Sequence, residues 1–277
     1  MKNIKNFQKI VLACWRENGR HTLPWRTTSD PYKILVSEIM LQQTQVERVV
    51  PYFERWMRKF PTIESLASSS LASVLQSWSG LGYNRRAKLL RECAKEIVEK
   101  HGGTIPKGRP ALESLPAIGP YTAGAIRVFA FNKSDVPIET NIRSVYIHHF
   151  FPHTITSDGR HTLSYVDDRD IRVLAEKAAR GQDPRTWHAA LMDYGAYIKK
   201  TYPNPSRRCK HHTRQSPFEG SLRQCRGIIL RRLLKGPIAH KALLKVDTKQ
   251  SYFLELALRD LEREGLIEKK KGKWWIA

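Results

Sequence analysis

The stretch LPAIGPYTAGAI, residues 115–126, decides the fold class of this chain. A predicted helix ends near Leu115, and a second predicted helix begins near Tyr121 after a turn that contains Gly119. The free backbone N–H groups and the positive dipole end at the start of a helix form a site for an anion such as a phosphate. Gly119 allows the backbone to come close to a ligand because it has no Cβ atom. The stretch therefore predicts a helix–hairpin–helix that binds nucleic acid.

The charge of the chain also favours a nucleic-acid partner. Its 277 residues include 48 Lys and Arg against 26 Asp and Glu, a net charge of +22 at pH 7. Such an excess is typical of proteins that bind nucleic acid and less often of proteins that bind anionic membranes. Because the sequence shows neither a long apolar span nor a signal peptide, we expect a cytoplasmic, nucleoid-associated protein of a prokaryote without a membrane partner.

Most of the chain carries apolar residues at three- and four-residue steps, which predicts an all-α main body. A long loop is predicted at residues 150–170, and an exposed basic linker at residues 202–216. Helices are predicted at residues 7–15, 31–60, 71–78, 85–100, 171–200, 223–235 and 253–264.

The last 58 residues, 220–277, are predicted to fold separately, as a first helix, a helix or turn through Leu243 and Leu244, a third helix and then two short strands. This order is typical of a winged helix, which belongs to the helix-turn-helix class of DNA-binding domains. Residues 207–277 hold 18 Lys and Arg against 7 Asp and Glu, so half of the net charge lies in about the last quarter of the chain.

Glu38 is the candidate catalytic acid, within the otherwise uncharged stretch SEIMLQQTQV, residues 37–46. An apolar environment raises the pKa of a carboxyl group, which would make Glu38 a usable general acid. The alternative is a glutamate on the surface of a helix, since charged residues are mostly exposed.

Several motifs together resemble the HhH-GPD DNA glycosylases over most of residues 5–200, and in particular their adenine-excising MutY branch. The hairpin follows the family pattern L-P-x-x-G-x-x-T-A. Other matching stretches are LPWR (23–26), DPY (30–32), SEIMLQQT (37–44), GLGY (80–83) and MDYGA (192–196).

The resemblance implies a two-lobed helix–hairpin–helix glycosylase fold with a small C-terminal winged-helix-like α+β domain. We expect one lobe from residues 1–28 plus 141–216, a six-helix-type lobe with the hairpin from residues 29–140, and the small domain from residues 217–277. In this family the target nucleotide is flipped out of the duplex into a cleft.

The resemblance also implies catalytic roles. Glu38 matches the acid that protonates the departing adenine, and Asn141 matches the asparagine that supports a second carboxylate. Tyr121 lies where bifunctional relatives carry a nucleophilic lysine, so strand cleavage through a Schiff base is not expected. Glu139 stands at the position of the family aspartate, one methylene longer, and must withdraw this longer side chain to stabilise the cationic sugar.

Further positions match contacts to DNA. Gln43 and Tyr83 match side chains that wedge into the base stack, and Thr44 and Leu81 match contacts to the opposing oxidised guanine. The remaining expected contacts are Gly119 and Thr122 of the hairpin and Arg26 of the LPWR motif.

The iron–sulfur cluster of the family is predicted to be absent. Its four cysteine positions correspond here to Lys199, Ser206, Cys209 and Gln215, and one cysteine cannot hold a cluster. Cys14, Cys93 and Cys225 are scattered, as expected of idle thiols, and no metal site is predicted. The altered loop is predicted to be solvated and basic and to contact phosphates through Arg207, Arg208, Lys210, His211, His212 and Arg214.

The sequence thus predicts a monofunctional DNA glycosylase of base excision repair. It would remove adenine opposite 8-oxoguanine or guanine by acid-assisted hydrolysis of the N-glycosidic bond, acting as a monomer on double-stranded DNA with a mismatch or an oxidised base. A winged-helix-like unit stands where MutY proteins carry a Nudix-like domain, which leaves two alternatives open. These are a thymine or uracil mismatch glycosylase and a non-catalytic DNA-binding relic.

Overall fold

The computed structural model describes residues 3–151, 154–155, 161–162, 165–210, 217–243 and 251–277. Helices form most of it, as the sequence predicts. The α-helices are α1 (Ile4–Asn18), α2 (Pro31–Leu41), α3 (Val46–Lys59), α4 (Ile63–Ala67), α5 (Leu71–Trp78), α6 (Arg85–His101), α7 (Arg109–Glu113), α8 (Pro120–Phe129), α9 (Thr140–Phe150), α10 (Asp168–Ala179), α11 (Pro184–Thr201), α12 (Leu222–Leu233), α13 (His240–Leu243) and α14 (Ser251–Arg263). The strands are β1 (Thr154–Ile155), β2 (His161–Thr162), β3 (Ile238–Ala239), β4 (Ile267–Lys270) and β5 (Lys273–Ile276).

Two of the predicted long helices are interrupted in the structure. The prediction of one helix over residues 31–60 is wrong, because the chain leaves α2 after Leu41 and Gln43 adopts a φ of 55°. The predicted helix over residues 171–200 is likewise two helices, since Gly181 has a φ of 74° and Asp183 caps α11 by accepting from the N–H of Thr186 at 2.9 Å. The predicted helix–hairpin–helix is present as α7, the turn that follows it, and α8.

The chain divides into two compact units. Unit 1 comprises residues 1–34 and 119–214, and unit 2 comprises residues 35–118 and 215–277. The C-terminal residues therefore group with the α3–α7 region rather than with α9–α11. None of the helices within the described ranges is long and apolar enough to cross a membrane.

The core of unit 1 is built from apolar faces of α1, α9, α10 and α11. Phe7 of α1 lies at its centre, with ring centroids 5.3 Å from Tyr146 and 5.9 Å from Trp187. All three rings are buried, and such tilted and edge-on pairs add to the burial energy of the aromatic side chains. This core fixes the N-terminal end of α9, which carries Glu139 as its cap.

In unit 2, α3, α5 and α6 bury a second aromatic core. The Trp56 and Trp78 ring centroids are 5.5 Å apart, and both side chains are nearly fully buried. The helix α6 ends at Gly102, whose left-handed φ of 57° is the common stop signal for a helix.

The C-terminal part of unit 2 has the predicted winged-helix outline. The helices α12, α13 and α14 precede the antiparallel hairpin β4–β5, and β3, which lies between α12 and α13 in the chain, pairs with β5 to give the sheet order β3–β5–β4. Lys271 and Gly272, with φ values of 48° and 73°, make the tight turn between β4 and β5. Residues 244–250, which include Leu244 of the predicted second helix, lie outside the described residues.

Two predicted irregular segments are more ordered than expected. Residues 150–170 contain the antiparallel pair β1–β2 and the first turn of α10. Residues Pro205–Arg208 form a 3-10 helix in which Pro205, Ser206 and Arg208 are buried, so the prediction of an exposed linker is wrong there. Periodicity could not reveal this element because it is only four residues long.

Candidate active site

Glu38 is buried in α2, with 7% of its surface exposed. Its sequence neighbours in the helix, Leu35, Ile39 and Met40, are fully buried. Asp30 directly precedes the helix, and its side chain accepts a hydrogen bond from the N–H of Tyr32 at 2.8 Å. The alternative of a surface glutamate is therefore wrong, and unit 2 carries a buried carboxyl group.

Arg86 holds the C-terminal end of α2, which sequence reasoning missed. Its Nη1 donates to the carbonyl oxygens of Ile39 at 2.7 Å, Met40 at 3.0 Å and Gln42 at 2.5 Å. The last carbonyls of a helix lack hydrogen-bond donors within the helix, and a cation at this end supplies them. Its positive charge also interacts favourably with the negative end of the helix dipole. Burial lowers the pKa of Arg86 to about 10, which leaves it charged at neutral pH. The long separation in sequence between donor and acceptors hides this contact from any local pattern.

The same guanidinium joins two loops that carry predicted DNA contacts. Its Nη2 donates to Thr44 Oγ1 and to the Gly82 carbonyl, both at 3.2 Å. The guanidinium carbon lies 5.2 Å from the centroid of the Trp78 ring, which fixes it from the side of the core. The structure thus brings together, in unit 2, the predicted residues Gln43, Thr44, Leu81 and Tyr83.

Two of these four residues have an uncommon backbone conformation. Gln43 and Tyr83 have φ values of 55° and 48°, in the left-handed region that residues other than glycine rarely adopt. Such residues cost on the order of 1–3 kcal/mol and cluster at functional sites. Gln43 is exposed and Tyr83 is half-buried, whereas Leu81 is only 6% exposed. Gln43, Tyr83 and the half-buried Thr44 therefore have side chains open to a ligand, whereas Leu81 does not.

In unit 1, the carboxylate of Glu139 caps α9. One oxygen accepts from the backbone N–H groups of Asn141 at 2.7 Å and Ile142 at 3.0 Å. The other oxygen accepts from Asn141 Nδ2 at 3.1 Å. The side chain therefore folds back onto the N-terminus of α9. In this conformation the carboxylate caps the helix although the side chain is one methylene group longer than that of aspartate.

Lys199 of α11 is coupled electrostatically to this carboxylate. Burial lowers the pKa of Lys199, and the negative charge of Glu139 acts in the opposite direction. Gly195, one turn earlier in α11, packs so closely on Asn141 that a Cβ atom there would collide with its backbone. Helical side chains lean toward the N-terminus of their helix, so the stem of Lys199 extends over Gly195 toward the start of α9.

Asp193 forms ion pairs with two arginines of unit 1. It is 8% exposed and accepts from the backbone N, Nε and Nη2 of Arg20 at 2.8, 2.9 and 2.6 Å. Arg26 Nη2 lies 3.4 Å from the same carboxylate, and its guanidinium carbon lies 5.4 Å from the centroid of the Phe129 ring. Asp193 is therefore committed to Arg20 and Arg26, which makes it a poor substitute for Glu139.

The N-terminal end of α8 carries the remaining predicted residues. Gly119 has a φ of −93°, and a Cβ atom built on it would meet nothing within 4 Å, so this turn is open to a ligand. Tyr121 is half-buried in the first helical turn, and Thr122 is only 3% exposed. The backbone at Gly119 and the side chain of Tyr121 are thus the accessible parts of this segment.

The residues at the predicted cluster positions do not fit an iron–sulfur cluster. Cys209 is buried with its Sγ 3.7 Å from Asp168 Oδ1, and that carboxylate forms a two-point ion pair with Arg143 at 2.7 and 2.6 Å. Ser206 Oγ donates to Asn204 Oδ1 at 2.8 Å. No group of three or more His, Cys, Asp or Glu among the described residues could hold a metal ion.

The prediction that the basic residues of this loop are solvated is wrong for Arg208. Its side chain is buried and donates to the Phe151 carbonyl at 2.5 Å, because the 3-10 helix docks inside unit 1. The strand-like bridge between Val166 and Cys209 fixes the same segment. Arg207 and Lys210 are exposed, and His211, His212, Arg214 and Gln215 lie outside the described residues.

The pair α7 and α8, joined by a turn that is open at Gly119, is typical of the helix–hairpin–helix class of DNA-repair proteins. The profile of the HhH-GPD superfamily base excision DNA repair proteins matches residues 36–181. The chain belongs to this family.

Curated relatives share this similarity over long stretches. The adenine DNA glycosylase of Buchnera aphidicola subsp. Baizongia pistaciae is 42% identical over 196 residues, which are 69% of this chain and 52% of the relative. That of Mycolicibacterium smegmatis is 37% identical over 190 residues, 68% of this chain and 62% of the relative. The chain therefore spans only about half to three-fifths of these two relatives. The adenine DNA glycosylase of Mycobacterium tuberculosis is 32% identical over 273 residues, with 92% of this chain and 87% of the relative covered.

Solved structures share the fold. A thermostable thymine-DNA glycosylase superposes with a TM-score of 0.61 at 26% identity, covering 75% of this chain and 92% of that one. Endonuclease III in a non-covalent complex with DNA superposes with a TM-score of 0.54 at 17% identity, covering 84% and 95% of the two chains. At this lower identity the likeness concerns the fold alone.

Proposed function

We propose that this chain is a monofunctional DNA glycosylase that removes adenine mispaired with 8-oxoguanine or guanine. The observation that carries the proposal is the burial of Glu38 in α2 beside the fully buried Leu35, Ile39 and Met40, because a carboxyl group is otherwise mostly found on the surface. The identity of 32–42% to three proteins named adenine DNA glycosylase supports adenine as the base.

The proposed reaction hydrolyses the N-glycosidic bond of an extrahelical adenosine. Glu38 donates a proton to the purine while the bond breaks, and the bonding electrons leave with the base. The carboxylate of Glu139 stabilises the positive charge that develops on the sugar. A water molecule then adds to C1′ and gives a proton to the carboxylate of Glu38, which restores the acid and leaves an abasic site and free adenine.

Tyr121 supports a reaction that ends at the abasic site. A lysine in the first turn of α8 could attack C1′ and form a Schiff base, whereas a tyrosine cannot form one. Asn141 supports the role of Glu139, because its backbone and side-chain nitrogens both donate to the carboxylate. These bonds hold the two carboxylate oxygens of Glu139 in a fixed position.

A cleavage assay tests the proposal. Four duplexes carrying A:8-oxoG, A:G, T:G and U:G are incubated with the protein, and abasic sites are then cleaved with alkali. We expect cleavage of the adenine strand in the first two. Glu38→Gln should reduce the single-turnover rate by about 10²–10⁴-fold without weakening DNA binding. Glu47→Gln removes an exposed acid of α3 and serves as the matched control, with an unchanged rate.

The same assay decides between the proposal and its alternatives. Preferred cleavage of T:G or U:G would identify a mismatch glycosylase for thymine or uracil, toward which the structural similarity to a thymine-DNA glycosylase points. Binding without cleavage of any duplex would identify a DNA-binding relic. A rate for Glu38→Gln within a few-fold of wild type would exclude Glu38 as the general acid.

We further propose that the protein works without an iron–sulfur cluster. The contact of Cys209 Sγ with Asp168, whose carboxylate also pairs with Arg143, supports this because the thiol is already engaged within the protein. Purified protein should be colourless and contain no stoichiometric iron, and Cys209→Ser should cleave DNA at the wild-type rate. Stoichiometric iron with acid-labile sulfide would contradict the proposal.

The proposed substrate is double-stranded DNA with a mismatch or an oxidised base, bound by one copy of the protein. The net charge of +22 supports residence on the nucleoid, because counterion release favours binding to any duplex. Size-exclusion chromatography at a mass near 32.0 kDa would support the monomer.

A further inference from the structure

The C-terminal helix α12 contacts a residue that the sequence assigns to DNA binding. Arg223 Nη1 of α12 donates to the hydroxyl of Tyr83 at 2.9 Å. The guanidinium carbon of Arg223 also lies 5.5 Å from the centroid of the Tyr83 ring. Both residues belong to unit 2, but 140 positions separate them in the chain.

Two guanidinium groups lie near the ring of Tyr83. Arg86, which is fixed by the carbonyls at the end of α2, has its guanidinium carbon 5.5 Å from the ring centroid. Arg223 supplies the second contact from the C-terminal region. Cation–π contacts of this kind are worth about 0.5–1 kcal/mol each at exposed sites. The orientation of Tyr83 therefore depends on residues from both parts of unit 2.

A cavity of about 500 Å³ lies beside this contact, within the usual size range of ligand sites. Its lining includes Gln43, Ala117 of the hairpin turn, Tyr83, Arg223 and Arg226. A second cavity of about 740 Å³ runs along Thr44, Gly80, Leu81 and the face of α12 that carries Arg231. The loops predicted to contact DNA therefore share their walls with α12.

The C-terminal region is anchored beside these cavities. Lys88 Nζ of α6 donates to the Glu264 carbonyl at 2.7 Å, and Arg226 of α12 forms ion pairs with Glu264 and Asp260. These contacts tie the end of α14 and the start of α12 to α6. The helix that carries Arg223 is therefore held in place by these contacts. A residue that orients another side chain requires such a fixed position.

We propose that Arg223 is a positioning residue for Tyr83 and that α12 forms one wall of the groove that receives the DNA duplex. The guanidinium holds the tyrosine ring in the orientation from which it can enter the base stack. The C-terminal region then contributes to the distortion of the duplex in addition to its attraction for phosphates. This inference rests on the proposed function, because it takes Tyr83 as the residue that separates the bases.

The test measures base unstacking rather than cleavage. A duplex with 2-aminopurine next to the target adenine, opposite 8-oxoguanine, is titrated with protein carrying Glu38→Gln so that no base is removed. The fluorescence at saturating protein reports the unstacked fraction. The variants in this background are Arg223→Met, Tyr83→Phe and the double variant, and Arg232→Met removes an exposed arginine from the same helix as a control.

Arg223→Met and Tyr83→Phe should each reduce the fluorescence rise at saturation by about half or more, and the double variant should lose no more than the larger single loss. Arg232→Met should weaken binding but keep the full rise at saturation. A full rise with Arg223→Met, or additive losses in the double variant, would overturn the inference while leaving the glycosylase proposal intact. If the parent protein carrying only Glu38→Gln does not unstack this duplex, both proposals fail.

Discussion

The carboxylate of Glu139 is bound twice by Asn141, through the backbone N–H at 2.7 Å and through the side-chain amide at 3.1 Å. Glutamate is not among the preferred N-cap residues, because its side chain is one methylene longer than that of aspartate. Here the side chain folds back onto α9, so the charge stays at the helix N-terminus, where the dipole favours it. The geometry explains how a glutamate can replace an aspartate at this position.

Two variants of Glu139 should separate the effect of its negative charge on the cleavage rate from the effect of its side-chain length. Glu139→Gln keeps the size and removes the charge, so the single-turnover rate should fall by about 10²–10³-fold, the range for loss of one preorganised stabilising group. Glu139→Asp keeps the charge and is a preferred N-cap residue, so its activity should equal or exceed that of wild type.

The control for this pair is Glu176→Gln, the same chemical change at an exposed position of α10. Thermal melts should show that Glu139→Gln stays folded, with a loss of about 0.5–2 kcal/mol, which is typical of a removed cap. Normal cleavage by Glu139→Gln would move the carboxylate role to another residue.

Arg86 should be a stability determinant of unit 2. Arg86→Met leaves the carbonyls of Ile39, Met40 and Gln42 without their donor, so the free energy of unfolding should fall by about 2–4 kcal/mol. Arg86→Lys should recover only part of this, because an ammonium group cannot reach all of the acceptors that a guanidinium spans. Urea denaturation measures both effects.

Arg85→Met provides the matched control, since Arg85 is exposed at the start of the same helix. A surface change of this kind should alter the free energy of unfolding by no more than about 0.5 kcal/mol. Equal effects of Arg85→Met and Arg86→Met would show that the contacts of Arg86 with the end of α2 contribute nothing to stability.

The features predicted correctly are those that depend on local pattern. Residues 71–78 form α5 with the predicted bounds, because apolar residues at helical spacing follow the serine cap at Ser70. The hairpin and the wing follow from glycine, proline and strand signals within a few residues of each other. The capping position of Glu139 is also local, although no spacing rule for glutamate points to it.

The errors arise where distant residues decide the structure. The break after α2 depends on Arg86, which binds carbonyls more than forty positions earlier in the chain. Arg208 is buried against the carbonyl of Phe151, 57 positions away, although the sequence around it is basic and polar. The contact between Arg223 and Tyr83 likewise joins two regions that the sequence assigns to separate domains. Each of these contacts requires a tertiary structure before it can be recognised.

The lowered pKa of Lys199 predicts that the stability of the protein depends on pH. Its pKa in the folded protein is lowered from the ordinary 10.5, and burial is the larger cause. In the pH window between the lowered pKa and 10.5 the unfolded chain therefore binds more protons, and stability rises with pH there. Lys199→Met should be more stable than wild type at neutral pH, and this advantage should shrink as the pH approaches 10.5.

Chemical denaturation of wild type and Lys199→Met across this pH range measures the difference between their free energies of unfolding. The contributions of the other titrating groups are common to both proteins and cancel in this difference. Lys200→Met, an exposed neighbour on the same helix, provides the matched control for the loss of one lysine. A difference for Lys199→Met that grows with pH would contradict the direction of the shift.

The turn between β4 and β5 should control the salt dependence of DNA binding without affecting base preference. Lys271 and Lys273 are exposed in this turn, and each lost phosphate contact lowers the slope of log affinity against log salt by about 0.9. Lys271→Gln with Lys273→Gln should therefore reduce the slope by up to about 2, equally for all duplexes. The ratio of A:8-oxoG to A:G cleavage should stay unchanged, because phosphate contacts carry no sequence information.

Lys9→Gln with Lys177→Gln, an equal loss of charge from α1 and α10, is the control for net charge alone. A collapse of the cleavage ratio in the turn variant would make the winged helix a reader of the oxidised base.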